Sequence, residues 1–235
     1  MDKTLLYEGK AKRIYSIAGK PDIYLQEFKN SATAFNGIKK DEIEGKGVLN
    51  NKISSIFFEF LIKNGIPTHF LEKISDNEML VKKLTIFKIE VVCRNIAAGS
   101  LVKRYGFAEG VELHKPIIEF YYKSDEAGDP LFNESHIYEL KLATESEINT
   151  IKVLTIKINT LLVDFLKLKN IKLVDFKLEF GKDNKGKIIL ADEISPDTCR
   201  FWDADTNKKL DKDNFRFDLG SLIDAYVEIF KRISN

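Results

Sequence analysis

The chain has 235 residues, 44% hydrophobic and 31% charged, with a formal net charge of +1. That length suits one large domain or two lobes with ample core, and the near-neutral balance excludes the strongly basic profile of a nucleic-acid-coating protein. Two cysteines without ligand spacing, three scattered histidines and no apolar run near about 18 residues exclude a disulfide framework, a cysteine-histidine metal cluster and a spanning helix.

In chain order, the first 45 residues read as short strands and turns: "LLYEGKAKRIYSI", "DIYLQEF" and "SATAFNGIKK". Residues 47–65 read as a helix, with apolar positions at Ile53, Ile56, Phe57, Phe60 and Leu61 and a stop at Gly65. "HFLEKI" and "EMLVKKL" form an expected hairpin, and "VKKL" (81–84) stands where two lobes would join. "FKIEVVCRNI" opens the second part as a strand. Thr144 with Glu147 is a capping-box signature for a long helix carrying Ile148, Ile151, Leu154, Ile158, Leu161, Leu162 and Phe165. "LVDFKLEFG" (173–181) alternates strictly, which predicts a half-buried strand with Val174, Phe176, Leu178 and Phe180 inward and Asp175, Lys177 and Glu179 outward. "GKDNKG" turns it back into "KIILADE", and a final helix is expected to show Leu219, Leu222, Ile223, Tyr226, Val227 and Phe230 on one face. The expected class is α+β in two lobes, a strand-rich lobe at 1–81 with one helix and a larger α+β lobe at 82–235.

Four stretches carry candidate chemistry. Glu179 and Asp192 end two antiparallel neighbours, where paired carboxylates suit Mg²⁺ with substrate phosphates or, equally, ion pairs with Lys177 or an arginine. In "YEGKAKRIY" a glycine followed by Lys10, Ala11, Lys12 and Arg13 offers amides and cations to a polyphosphate, without being a Walker A sequence. "RNIAAGSLVKRYG" (94–106) brings Arg94 and Ser100 together with small residues, a set suited to a phosphate monoester. "DEISPDTCRFWD" turns at Ser195–Pro196, so that Asp197 and Arg200 reach back toward the same cleft. Each stretch also has an ordinary structural reading as a surface face, a turn or a loop. Together they are a parts list for phosphoryl transfer: cations, Mg²⁺ and positioning.

At this point the chain resembles the SAICAR synthetase family. The likeness is carried by "LVDFKLEFG", "EVVCRNIAAGSLVKRYG", "YEGKAKRIY", "GKGVLNNKIS", "DPLFNES" and "DEISPDTCRFWD", and runs from about residue 5 to 230. Two departures stand out: Lys88 where the family commonly has proline, and Asn36 in "AFNG" where the family has aspartate. The resemblance implies a kinase-like two-lobed ATP cleft and the joining of L-aspartate to the carboxylate of CAIR, the carboxylated aminoimidazole ribotide, through an acyl phosphate. It implies Mg²⁺ on Glu179 and Asp192, and Lys177 against the reacting groups. Lys10, Ala11 and Lys12 would lie over the phosphates, and Lys82 and Leu84 would meet adenine. Arg94, Ser100 and Arg200 would hold the ribotide, with Asn36 as a further substrate contact, Lys123 as a candidate for the L-aspartate site, and Asp175 and Asp197 as catalytic groups that orient substrate or support a metal. A cytoplasmic homodimer with ATP, CAIR and L-aspartate as partners, and neither nucleic acid nor membrane, completes the expectation. Two rivals remain: another kinase-like phosphotransferase, which would need a base for a hydroxyl and no aspartate, and an RNA-binding module built on "LVKRYG" with Phe120, Tyr121 and Tyr122, against which the net charge weighs.

Overall fold

Residues 3 to 28 climb through three antiparallel strands, β1 (Lys3–Glu8), β2 (Lys12–Ile17) and β3 (Lys20–Phe28). The computed structural model describes residues 2–34, 37–124 and 126–235. A small hairpin of β4 (Ser31–Ala34) and β5 (Lys39–Glu42) leads into α1 (Lys46–Lys63). The hairpin β6 (Phe70–Lys73) and β7 (Glu78–Lys82) then completes a five-stranded sheet in the order β1-β2-β3-β7-β6. The expected strands, helix and hairpin of this stretch are all present.

The second sheet is built around β8 (Thr85–Ile96), which is followed by α2 (Ser100–Tyr105) and β9 (Glu112–Tyr122). Next come β10 (Leu131–Phe132), α3 (Glu134–Glu139) and α4 (Glu145–Lys167), the last opened by the expected Thr144–Glu147 capping box. Then come β11 (Ile171–Lys182), β12 (Ile188–Ala191), β13 (Cys199–Asp203), α5 (Asp213–Arg216) and α6 (Leu222–Ser234). The strand order is β10-β9-β8-β11-β12, and β13 shares the β12 edge of β11. The first half of β11 pairs with β13 and its second half with β12. The loop 192–198 is therefore thrown out at mid-strand, beside Lys177, whose amide donates to the Thr198 carbonyl at 2.8 Å.

One apolar core runs through both sheets. It joins Phe28, Met79 and Val81 to Phe57, Phe58 and Leu61 of α1, to Phe176, Leu178 and Phe180 of β11, and to Ile151, Ile158 and Leu162 of α4. Gly47 lets α1 sit directly on β3, because a Cβ there would stand 2.6 Å from the Phe28 carbonyl oxygen. Three expectations are corrected. β11 is buried on both faces rather than half-buried, with Asp175 and Glu179 only 4% and 5% exposed, because it is a central strand. A bulge between Leu173 and Asp175 shifts the alternation, so Leu173 joins the main core while Val174 packs in a separate cluster with Ile96, Ala98 and Trp202. Leu219 lies before α6 and is exposed; Ser221 caps the helix, and its buried face is Leu222, Ala225, Tyr226, Ile229 and Ile233.

Candidate active site

A cleft of about 1010 Å³ opens between the β1–β2 turn, the front of β8 and β11, and the loop after β12. The β1–β2 turn is closed by the Gly9 amide donating to the Lys12 carbonyl at 2.8 Å, and Gly9, Lys10, Ala11 and Lys12 line the cleft. Arg13 does not join them; it stays on its own sheet with Glu8 and Glu27, at 3.2 and 3.3 Å.

The cleft floor is a bank of alternating charge. Lys177 lies between Glu90 (2.8 Å), Glu179 (2.9 Å) and Asp192 (3.6 Å). Lys12 pairs with Asp192 and, at 3.0 Å, with Glu193, while Lys123 reaches Glu179. Strand register makes the convergence: Glu179 stands opposite Glu90 on β8 and opposite Ala191 on β12, so Asp192 follows at the same level. Asp192 takes a left-handed backbone, φ 66°, which is uncommon for a residue with a side chain and turns its carboxylate out of the β12 run. Burial alone would favour a neutral Lys177, yet Glu179, Asp192 and Glu90 hold its pKa well above the ordinary value. Burial likewise opposes the Asp192 charge, but Lys12 and Lys177 hold that carboxyl well below the usual range.

Three ammonium groups thus face four carboxylates, Glu90, Glu179, Asp192 and Glu193. The donors of the bank are hard oxygens. Among the described residues no three carboxylate, imidazole or thiol groups form a preformed metal cage. Two converging carboxylates with room for phosphate oxygens are nonetheless the donor set Mg²⁺ takes in nucleotide sites, so the residues fit that ion.

A second cluster adjoins the bank. Asp175 accepts from Nη1 of Arg94 (2.8 Å) and from Nη1 of Arg200 (2.9 Å). Arg94 also reaches Glu119 at 2.7 Å, the Ser100 hydroxyl at 2.8 Å and the Tyr121 hydroxyl at 3.2 Å. Gly99 has φ +55°, and a Cβ there would stand 2.5 Å from the Arg200 guanidinium, so only glycine lets α2 start this close.

Asp197 lines the cleft too, with its charge fully engaged. One oxygen accepts from Lys46 and Asn50, and the other from the Tyr226 hydroxyl at 2.6 Å, with Lys212 at 3.5 Å. Lys82 and Leu84 lie at the β7–β8 junction outside the cleft lining; Lys82 donates to the Thr68 carbonyl at 3.3 Å and Leu84 abuts Gly181. Asn36 lies outside the described residues. Sequence reading missed Glu90, Glu193, Lys46, Asn50, Lys212, Arg216 and Tyr226. The Asp192–Glu193 pair and the four-residue spacing of Lys212 and Arg216 were the available signals; Lys46 and Tyr226 gave none.

The chain is similar to known proteins over nearly its whole length. The SAICAR synthetase family model matches residues 5–233. The phosphoribosylaminoimidazole-succinocarboxamide synthase of Caldanaerobacter subterraneus subsp. tengcongensis is 59% identical over 231 residues, 98% of this chain and 97% of the relative. The crystal structure of the synthase from Ehrlichia chaffeensis superposes with a TM-score of 0.96 at 49% identity, covering 98% of both chains. A SAICAR synthetase (Type-2) solved in complex with ADP superposes with a TM-score of 0.95 at 52% identity, covering 98% of this chain and 97% of that one. Fold and site together define an ATP-dependent carbon–nitrogen ligase. The chain belongs to the SAICAR synthetase family, whose reaction joins L-aspartate to the carboxylate of CAIR in purine biosynthesis.

Proposed function

We propose that the two sheets, as lobes 1–81 and 82–235, form a kinase-like nucleotide cleft in which the CAIR carboxylate is activated as an acyl phosphate and then taken by aspartate. The observation that carries this reading is Lys177 held among Glu90, Glu179 and Asp192 on the cleft floor. The CAIR carboxylate oxygen attacks the γ-phosphorus and ADP leaves; the aspartate amine then attacks the acyl carbon, phosphate leaves and the nitrogen loses a proton. Both steps gather negative charge on oxygens, so fixed cations carry the catalysis.

Glu179 and Asp192 would hold Mg²⁺, which when bound neutralises phosphate oxygens and polarises the transferring group. Lys177 neutralises the reacting carboxylate. Lys10, the Ala11 backbone and Lys12 cover the nucleotide phosphates, and the β7–β8 junction at Lys82 and Leu84, just beyond the cleft lining, meets adenine. Asp175 holds the Arg94 and Arg200 guanidiniums side by side, and with Ser100 they receive the ribotide phosphate. Lys123 and Asn36 complete the substrate contacts, and Asp197 positions its wall of the cleft. The active species is proposed as a cytoplasmic homodimer.

The test is phosphate release from ATP, Mg²⁺ and CAIR with and without L-aspartate. Release that requires both CAIR and aspartate supports the ligase; release indifferent to aspartate favours a simple phosphotransferase and overturns it.

A further inference from the structure

Two successive residues after β12, Asp192 and Glu193, place their carboxylates on one ammonium, that of Lys12. In an extended strand neighbouring side chains point to opposite faces. The left-handed backbone of Asp192, φ 66°, breaks that alternation and lets both reach the same cation. In the proposed reaction Asp192 serves Mg²⁺, while Glu193 has no part.

Both carboxylates line the cleft, but they are held differently. The second oxygen of Asp192 meets Lys177 at 3.6 Å, a loose contact. The Glu193 side chain is only 3% exposed; its Oε1 takes Lys12 at 3.0 Å and its Oε2 accepts from the Ser195 hydroxyl. Ser195 has no exposed surface, and its oxygen accepts in turn from the Asp197 amide at 3.1 Å. The Ser195 carbonyl accepts the Thr198 and Cys199 amides at 3.0 and 2.8 Å, and Ser54 of α1 donates to the Ile194 carbonyl at 3.1 Å. Glu193 is therefore fixed at one oxygen by a loop tied to β13 and α1, and it offers the other to Lys12. Burial opposes the Lys12 charge, yet Asp192 and Glu193 hold its pKa above the ordinary lysine value.

A lysine anchored by Asp192 alone would lose its seat once that carboxylate turned to Mg²⁺, at the moment the phosphates need it. We infer that Glu193, set by the Ser195 hydroxyl, is the permanent counter-ion of Lys12. It is a positioning residue that keeps the ammonium over the nucleotide phosphates and leaves Asp192 to the metal. The inference deepens the ligase reading and rests on it for the roles of Lys12 and Asp192.

ADP affinity is titrated calorimetrically, in EDTA and in Mg²⁺, for wild type, Ser195→Ala and Glu193→Gln, each also on a Lys12→Met background. Ser195→Ala changes no charge, so a direct electrostatic effect on the ion is absent. The expected result for Ser195→Ala is ADP binding at least fivefold weaker in Mg²⁺ and within twofold of wild type in EDTA, where Asp192 still anchors Lys12. On the Lys12→Met background the same substitution should add nothing, because the group it positions is gone. Binding in Mg²⁺ within twofold of wild type, an equal loss in EDTA and Mg²⁺, or an effect that persists without Lys12 overturns the positioning role. If Ser195→Ala melts early, Glu193→Gln carries the test through the same comparison with and without Lys12. The titration uses neither CAIR nor aspartate, so its failure is distinct from that of the ligase, which phosphate release indifferent to aspartate would sink.

Discussion

Arg94 and Asp175 face each other across the β8–β11 ladder, paired in register and joined Nη1 to Oδ2 at 2.8 Å in an interior where both are almost fully buried. Arg94 also satisfies Glu119. Truncating it leaves the buried Glu119 without its cation and Asp175 with Arg200 alone. Arg94→Met is expected to cost about 3–5 kcal/mol, read as a lower denaturant midpoint with unchanged slope. Arg94→Lys is expected to recover little of this, since an ammonium lacks the planar fork that reaches four partners.

Glu179→Gln keeps the size of the side chain and removes a charge shared by Lys177 and Lys123. Turnover is expected to fall by about 10³-fold, the scale of losing a principal electrostatic group. Titration should show weaker Mg²⁺-dependent ADP binding, while metal-free ADP binding changes little. Retained turnover would leave the cleft floor a structural ion-pair network.

Gly99→Ala adds a methyl group 2.5 Å from the Arg200 guanidinium at a backbone angle that L residues avoid. Holding so sparsely populated a backbone costs about 1–3 kcal/mol, and Arg200 must shift. KM for CAIR should rise at least tenfold while KM for ATP holds. A uniform loss of activity across substrates would instead mark a general folding defect.

Asp211 has no exposed surface and accepts the amides of Phe201 (2.9 Å) and Asp213 (2.8 Å). Burial, then the Asp213 charge, raise its carboxyl from 3.8 to about 7. A raised folded value means the native state binds a proton that the unfolded chain has released. Its stabilising effect is full below about pH 4 and is lost as pH rises toward 7. Melting temperature against pH should therefore carry a descending component over that window, and Asp211→Asn should remove it. A slope unchanged in the variant assigns the descent elsewhere.

Local pattern made much of the fold readable. The Thr144–Glu147 cap, the β6–β7 hairpin and the β11–β12 return all rest on neighbours within a few residues, and each stands as read. The alternation of "LVDFKLEFG" was legible, but the bulge before Asp175 was not, because β13 imposes it from outside the segment. The cleft residues were legible as types, not as partners. Glu179, Asp192, Lys12 and Lys177 were named from their motifs, yet Lys12 meets Asp192 across 180 positions and Lys46 meets Asp197 across 151. No periodicity encodes such pairs. Lys46 reads from sequence as an ordinary helix-start lysine and becomes a buried counter-ion only when α1 and the 192–198 loop meet.

The ring of groups around Asp197 has a consequence for synthesis on the ribosome. Its members come from positions 46, 50, 212 and 226, so the wall of the cleft needs the last helix in place. A nascent chain that has emitted Glu179 and Asp192 already owns its acidic residues, but Lys46 has no finished seat until Tyr226 arrives. Competence therefore waits on α6, so a chain broken off inside that helix would carry every motif and still be inert.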